Sequence, residues 1–145
     1  MIPNTILLAA CRFDARLGAE RVAAAIGKGL LAGGWPEPDV LAIVGEAGPE
    51  RRVRELLDEL DFDWRMRRAR AVVLAARRLE ERTLAGSIAF EIATRARQSG
   101  VPAYAVAAEN RLGPFDARML DLQVIIEAAT APALLAAGKH LAGLI

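Results

Sequence analysis

The sequence predicts an α/β fold: a three-layer α/β/α sandwich on a mainly parallel, five-stranded, Rossmann-like sheet. Two observations carry that expectation. Short apolar runs alternate about five times with segments of helical spacing, the pattern of strand–helix–strand crossovers. The runs are continuous rather than alternating, as in strands covered by helices on both faces. At 145 residues, with no linker, repeat or low-complexity tract, the chain reads as one domain over 1–145.

Thr5–Cys11 is the first strand, and Ala19–Leu31 follows as a helix with Val22, Ala23, Ile26 and Leu30 on one stripe. Gly33-Gly34 ends that helix, and Trp35–Asp39, with two prolines, makes a turn. Val40–Val44 is the second strand. After a Gly45–Gly48 loop, Pro49 suits a first helical position, and Glu50–Leu60 aligns Val53, Leu56, Leu57 and Leu60. The composition shifts at Asp61–Arg70, which reads as a longer loop with a helical turn. Ala69–Leu74 is the third strand, Thr83–Gln98 a helix closed by Gly100, and Val101–Ala108 the fourth strand. Leu122–Ile126 is the fifth, and Pro132–Leu144 the last helix, with Thr130 or Ala131 near its cap.

Composition narrows the function classes. Hydrophobic residues make up 54% and charged residues 26%, which excludes a disordered chain. Aromatics are only 5%, so the core is built from Ala, Leu, Val and Ile, and helices are expected to approach the sheet closely. Cys11 is the single cysteine, so no intrachain disulfide forms and a reducing, cytoplasmic location is expected. Net charge is +1, which asks for no nucleic-acid partner. No apolar run reaches the roughly 20 residues of a membrane span, and Ile6–Cys11 is too short for a secretory core, so no membrane partner is expected.

In an open parallel sheet the ligand crevice lies at the carboxyl ends of the strands. That rule selects the loops Cys11–Gly18, Gly45–Gly48, Ala75–Arg82, Glu109–Pro114 and Glu127–Thr130. Arg12, Arg16, Arg77, Arg78 and Arg111 fall in them and are the candidates for binding a small anion, a phosphate or a carboxylate. The competing reading pairs those arginines with Asp14, Glu46, Glu80, Glu81 and Glu109. Neither cofactor, metal site nor catalytic residue is expected. His140 stands alone near the end of the last helix, suited to the helix dipole rather than to a metal. Cys11 has no histidine in these loops to activate it. The Gly45–Gly48 loop lacks both the P-loop and the dinucleotide pattern. Arg65, Arg67, Arg68 and Arg70 precede the third strand, at the opposite sheet edge, and read as a solvated turn.

The same loops resemble bacterial glycerate kinases of the two-domain type. In Val72–Gly86, Arg78, Leu79, Thr83, Leu84, Ala85 and Gly86 match that family's G-E-G-R-L-D turn and Q-T-L-A-G-K helix start. Gly100-Val101-Pro102 matches its G-V-P strand opening. Ala9–Ala23 keeps Phe13, Leu17, Ala19, Glu20, Val22 and Ala23 of A-P-D-S-F-K-G-S-L-S-A-E-E-V-A. Gly48 and Glu50 survive from A-D-G-G-E-G-T. The resemblance implies descent from an ATP:glycerate phosphotransferase, a longer protein whose second domain is reduced here to about Leu60–Arg70.

The departures from the family fall on chemical positions. Its early Asp and Lys become Cys11 and Asp14, and the Asp of A-D-G-G becomes Ala47. G-E-G becomes Ala75-Ala76-Arg77, the next Asp becomes Glu80, and the helix-opening Lys becomes Ser87. Phosphoryl transfer works by positioning and by neutralising charge with Lys, Arg and a carboxylate-held Mg²⁺. Asp14 reverses a charge where phosphates would lie, and Ala76 offers no ligand to a metal. The expectation is a domain without kinase activity, acting as a binding or homo-oligomeric module that covers the surface left by the missing domain. The alternatives are a small-anion-binding protein and a residual glycerate kinase.

Overall fold

The computed structural model describes residues 4–44, 50–80 and 87–145. Five strands, β1 (Ile6–Cys11), β2 (Asp39–Ile43), β3 (Ala71–Leu79), β4 (Ala103–Asn110) and β5 (Leu122–Glu127), form one sheet in the order β2-β1-β3-β4-β5. All four pairings are parallel. Six helices occur among the described residues: α1 (Ala19–Ala32), α2 (Glu50–Glu59), α3 (Phe62–Arg67), α4 (Ile88–Ser99), α5 (Pro114–Met119) and α6 (Ala131–Ala142). The chain is the doubly wound, Rossmann-like α/β sandwich that its apolar runs imply.

β1 shows why those runs are continuous. Ile6, Leu8 and Ala10 face α1 and α6 in a core with Val22, Ile26, Leu30, Leu134 and Leu141. Leu7 and Ala9 face the opposite core, with Val53, Leu57, Phe62, Met66 and Ile92 of α2, α3 and α4. Every β1 side chain from Ile6 to Ala10 is therefore buried, so no polar alternation survives.

Two parts of the fold differ from the sequence reading. β3 continues past Leu74 to Leu79, and its ladder with β4 runs to Leu79 opposite Asn110. Arg77, Arg78 and Glu109 are therefore strand residues, not loop residues. Backbone pairing extends beyond the layer that the helices cover, and there the side chains are free to be charged. Asp61–Arg70 is mostly helix rather than loop. Asp61, at φ 55, turns the chain from α2 into α3, a backbone state that Asp tolerates better than most residues. Phe62 and Met66 are then fully buried. Arg65 forms an ion pair with Asp39 and donates to the Val40 carbonyl, fastening α3 to β2. The segment standing where the resemblance expects a second domain is thus packed into the core. α5 went unforeseen because it buries no side chain and carries no apolar stripe. The Gly45–Gly48 loop, Pro49 and the Thr83–Gly86 start of the third expected helix lie outside the described residues.

Arg95 holds the second helical layer together. Its largely buried guanidinium contacts Asp58 at 2.9 Å, Asp63 at 3.3 Å and Glu91 at 3.1 Å, joining α2, α3 and α4. It also donates to the Arg54 carbonyl at 3.2 Å.

On the other face α1 and α6 lie backbone to backbone. A Cβ at Gly29 would stand 2.7 Å from the Lys139 nitrogen and 2.8 Å from Gly138 Cα, and would overlap the Leu135 carbonyl oxygen. A Cβ at Gly138 would stand 2.9 Å from Gly29 Cα and overlap the Ile26 carbonyl. Trp35 closes this contact by donating its indole N–H to the Ala142 carbonyl at 2.9 Å.

These distances give two glycines of one helix opposite signs. Gly29→Ala gains helix propensity of about 1 kcal/mol but drives the helices apart, and overpacking costs typically 1–3 kcal/mol or more. Gly27→Ala meets only Pro38 Cγ at 3.6 Å, an ordinary contact, and is expected to stabilise by about 0.5–1 kcal/mol. Urea denaturation of the two variants checks both signs; a Gly29→Ala protein as stable as its parent contradicts the close packing.

Candidate functional site

In the order 2-1-3-4-5 the connections reverse direction between β1 and β3, which is where doubly wound proteins open their crevice. Ala10 pairs with Ala75, so Cys11 and Ala76 stand side by side at that mouth. The loop from Arg12 to Gly18 borders it on one side.

Asp14 organises that loop. Its carboxylate accepts hydrogen bonds from the Arg16 N–H at 2.7 Å and the Leu17 N–H at 2.8 Å. Phe13 N–H and Asp14 N–H donate in turn to the Leu17 carbonyl, and the Phe13 ring is buried beneath. The backbone bond from Leu17, followed by that from Arg16, holds the Asp14 carboxyl below the ordinary carboxylate range. The charges of Arg16 and then Arg77 push the same way. An Asp and two Arg therefore share the crevice mouth.

Two further positions where the chain departs from the resembled pattern, Ala76 and Ser87, are also taken up by the fold. Ala76 is buried in the core. The Ser87 hydroxyl caps α4, accepting from the Phe90 N–H at 3.0 Å. Cys11 as a whole is half-buried, yet its sulfur is desolvated enough to push the thiol up to about 11. At neutral pH it is protonated and a poor nucleophile.

The five candidate arginines separate into groups. Arg78 and Arg111 belong to a knot on β3 and β4. Their Nε atoms lie 3.0 and 2.8 Å from Glu109 Oε2, close ion-pair contacts that fall short of aligned hydrogen bonds. Arg111 also donates to Glu109 Oε1 at 3.2 Å, and Glu80 approaches both arginines at 3.8 and 3.9 Å. The β3–β4 register sets Arg78 opposite Glu109, a pairing that sequence alone leaves open. Arg77 is exposed at the mouth, beside Asp14.

Arg12 and Arg16, on the β1–α1 loop, line an open depression between that loop, the start of α1 and the end of β2. Ile43 and Val44 form its apolar wall, and Glu20 and Arg21 complete the rim. The α1 N-terminus opens there, because Gly18 at its cap has no side chain to accept from the first-turn N–H groups. Arg21 is a site residue that sequence reasoning passed over. It sits in the first turn of α1, and its guanidinium bonds back to the Arg16 carbonyl at 3.1 Å. Its place just after a glycine cap was the available signal.

No helix among the described residues is long and apolar enough to cross a membrane. The basic segment at the opposite edge is largely engaged: Arg65 is ion-paired, Arg68 lies 4.6 Å from the Trp64 ring centre and Arg70 lies 6.0 Å from that of Trp35.

Neither a family model nor a curated protein matches the chain. Among solved structures it is similar to a protein from Burkholderia pseudomallei described as pilus assembly-related. The identity is 16% and the TM-score 0.53, over 99% of this chain and 92% of that one. It is also similar to an oxidoreductase from Corynebacterium diphtheriae, at 12% identity and a TM-score of 0.51, over 100% and 98% of the two chains. Likeness at these identities establishes the fold.

The Asp14 bonds carry a pH signature. Its folded-state pKa is depressed, so its stabilisation is present above the unfolded value near pH 4 and is lost as pH falls through the folded value. Carbon-detected NMR titration is expected to place the Asp14 midpoint below the ordinary carboxylate range. Asp14→Ala removes that part of the acid sensitivity. An ordinary midpoint for Asp14 contradicts the loop geometry.

Proposed function

We propose that this chain is a glycerate-kinase-related domain that performs no phosphoryl transfer and acts as a binding or homo-oligomeric module, a pseudoenzyme of the reducing cytoplasm. One observation carries the reading. At three of the described positions where the family resemblance calls for lysine or a metal-holding carboxylate the side chain is engaged in folding, and the one carboxylate kept, Glu80, faces Arg78 and Arg111. Asp14 folds the β1–α1 loop, Ser87 caps α4 and Ala76 fills the core. Arg78, which the resemblance retains, is neutralised by Glu109 and Glu80. Phosphoryl transfer needs its positive charges and metal ligands directed at the substrate, and these are directed at the protein.

The direct test is incubation with ATP, Mg²⁺ and glycerate, with phosphoglycerate measured by mass spectrometry. Turnover is expected at least about a thousandfold below the roughly 1–100 s⁻¹ of working kinases. Turnover within that range contradicts the reading.

A second reading rests on a different observation, the depression with Arg12, Arg16 and Arg21 around the uncapped start of α1. It suits the phosphate or carboxylate of a small molecule whose apolar part lies on Ile43 and Val44. Thermal unfolding against a panel of organic phosphates and carboxylates is expected to show saturable stabilisation by at least one of them. Arg12→Ala with Arg16→Ala removes it. Absence of stabilisation by every compound counts against this site.

A further inference from the structure

We infer that the depression lined by Arg12, Arg16 and Arg21 takes a phosphate monoester of an apolar or aromatic group, in preference to a carboxylate or free phosphate. The inference deepens the second reading above, the small-anion site, and rests on it.

These arginines differ from the ones that hold the fold. Arg65, Arg78, Arg95 and Arg111 each form an ion pair with a carboxylate. Arg12, Arg16 and Arg21 form none among the described residues, yet they line one depression. Like charges on one rim repel, and a bound anion offsets that repulsion. Counting Arg77, which lies beside Asp14, the arginines outnumber the nearby carboxylates of Asp14 and Glu20 by two among the described residues. That excess suits a phosphate monoester, at about −1.5 to −2 near neutral pH, better than a singly charged carboxylate.

The loop backbone is already engaged. Phe13 and Asp14 N–H groups donate to the Leu17 carbonyl, and those of Arg16 and Leu17 donate to the Asp14 carboxylate. Recognition therefore falls to the guanidinium groups. One planar fork uses both oxygens of a carboxylate, whereas the three free oxygens of a phosphate monoester accept from more than one. Arg21 is held against the loop by its 3.1 Å bond to the Arg16 carbonyl, which reduces the freedom lost on binding. The depression has a volume of about 930 Å³. Small-molecule sites run from roughly 300 to 1,000 Å³, so free phosphate would leave most of this one to water. Its apolar wall passes from buried Ile43 to Val44, which is 84% exposed. An apolar group on the phosphate covers Val44, and an aromatic one can also lie on a guanidinium plane.

Isothermal titration calorimetry at neutral pH and low salt, with phenyl phosphate, inorganic phosphate and benzoate as probes, tests the inference. Phenyl phosphate is expected to bind at least about tenfold more tightly than either of the others. Its amide shifts are expected to centre on Arg12–Arg21 and Val44. Arg12→Ala with Arg16→Ala is expected to weaken phenyl phosphate at least about tenfold while urea unfolding stays unchanged. Val44→Ser is expected to narrow the margin of phenyl phosphate over inorganic phosphate. Benzoate binding at these residues as tightly as phenyl phosphate overturns the inference and leaves the small-anion site standing. Inorganic phosphate binding as tightly as phenyl phosphate overturns it in the same way. Phenyl phosphate that does not bind saturably also overturns it, and the wider panel of phosphates and carboxylates then decides the small-anion site separately.

Discussion

Everything on the β1 side of this fold depends on two helices touching without side chains between them. At Gly29 and Gly138 the backbones of α1 and α6 meet, and the space for a single methyl is already filled by carbonyl and Cα atoms. That contact lets a sequence poor in aromatics close its core with Ala, Val, Ile and Leu. It also fixes where α1 begins. With its far end pinned by α6, the helix presents its N-terminus, and the loop shaped by Asp14, at a set position beside the sheet mouth.

What occupies that mouth decides the chemistry. A crevice that handles phosphate directs cations, N–H groups and metal ligands outward at the substrate. Here the comparable groups bond within the protein: Asp14 to its own loop, Ser87 to α4, and Arg78 and Arg111 to Glu109. Arg77 stays exposed at the mouth, and Arg12, Arg16 and Arg21 line the neighbouring depression beside the apolar wall of Ile43 and Val44. That arrangement favours holding a small anion over transferring a phosphoryl group.

The sheet was legible in the sequence because burial on both faces writes itself as uninterrupted apolar runs. β1, β4 and β5 emerge within two residues of their ends for that reason. β3 was shortened because Arg77 and Arg78 interrupt the run while backbone pairing with β4 continues beneath them. α3 was half-seen, since Phe62 and Met66 are only two buried residues in a charged stretch. The strand order and the Gly29–Gly138 contact are long-range facts that no local pattern encodes. For the site, the expected Ala75–Arg82 and Glu109–Pro114 loops begin later than the apolar runs suggest, because β3 and β4 continue to Leu79 and Asn110. The arginines within them were not separable, because which Arg meets Glu109 is settled by register rather than by spacing.

The proposal turns on whether the mouth between β1 and β3 grips a metal–nucleotide complex. NMR amide shifts of Asp14–Leu17 and Ala76–Glu80, followed while ATP is titrated with and without Mg²⁺, test it most directly. The account predicts no saturable change at these residues that requires the metal. Saturable, Mg²⁺-dependent shifts centred on Ala76–Glu80 would contradict it.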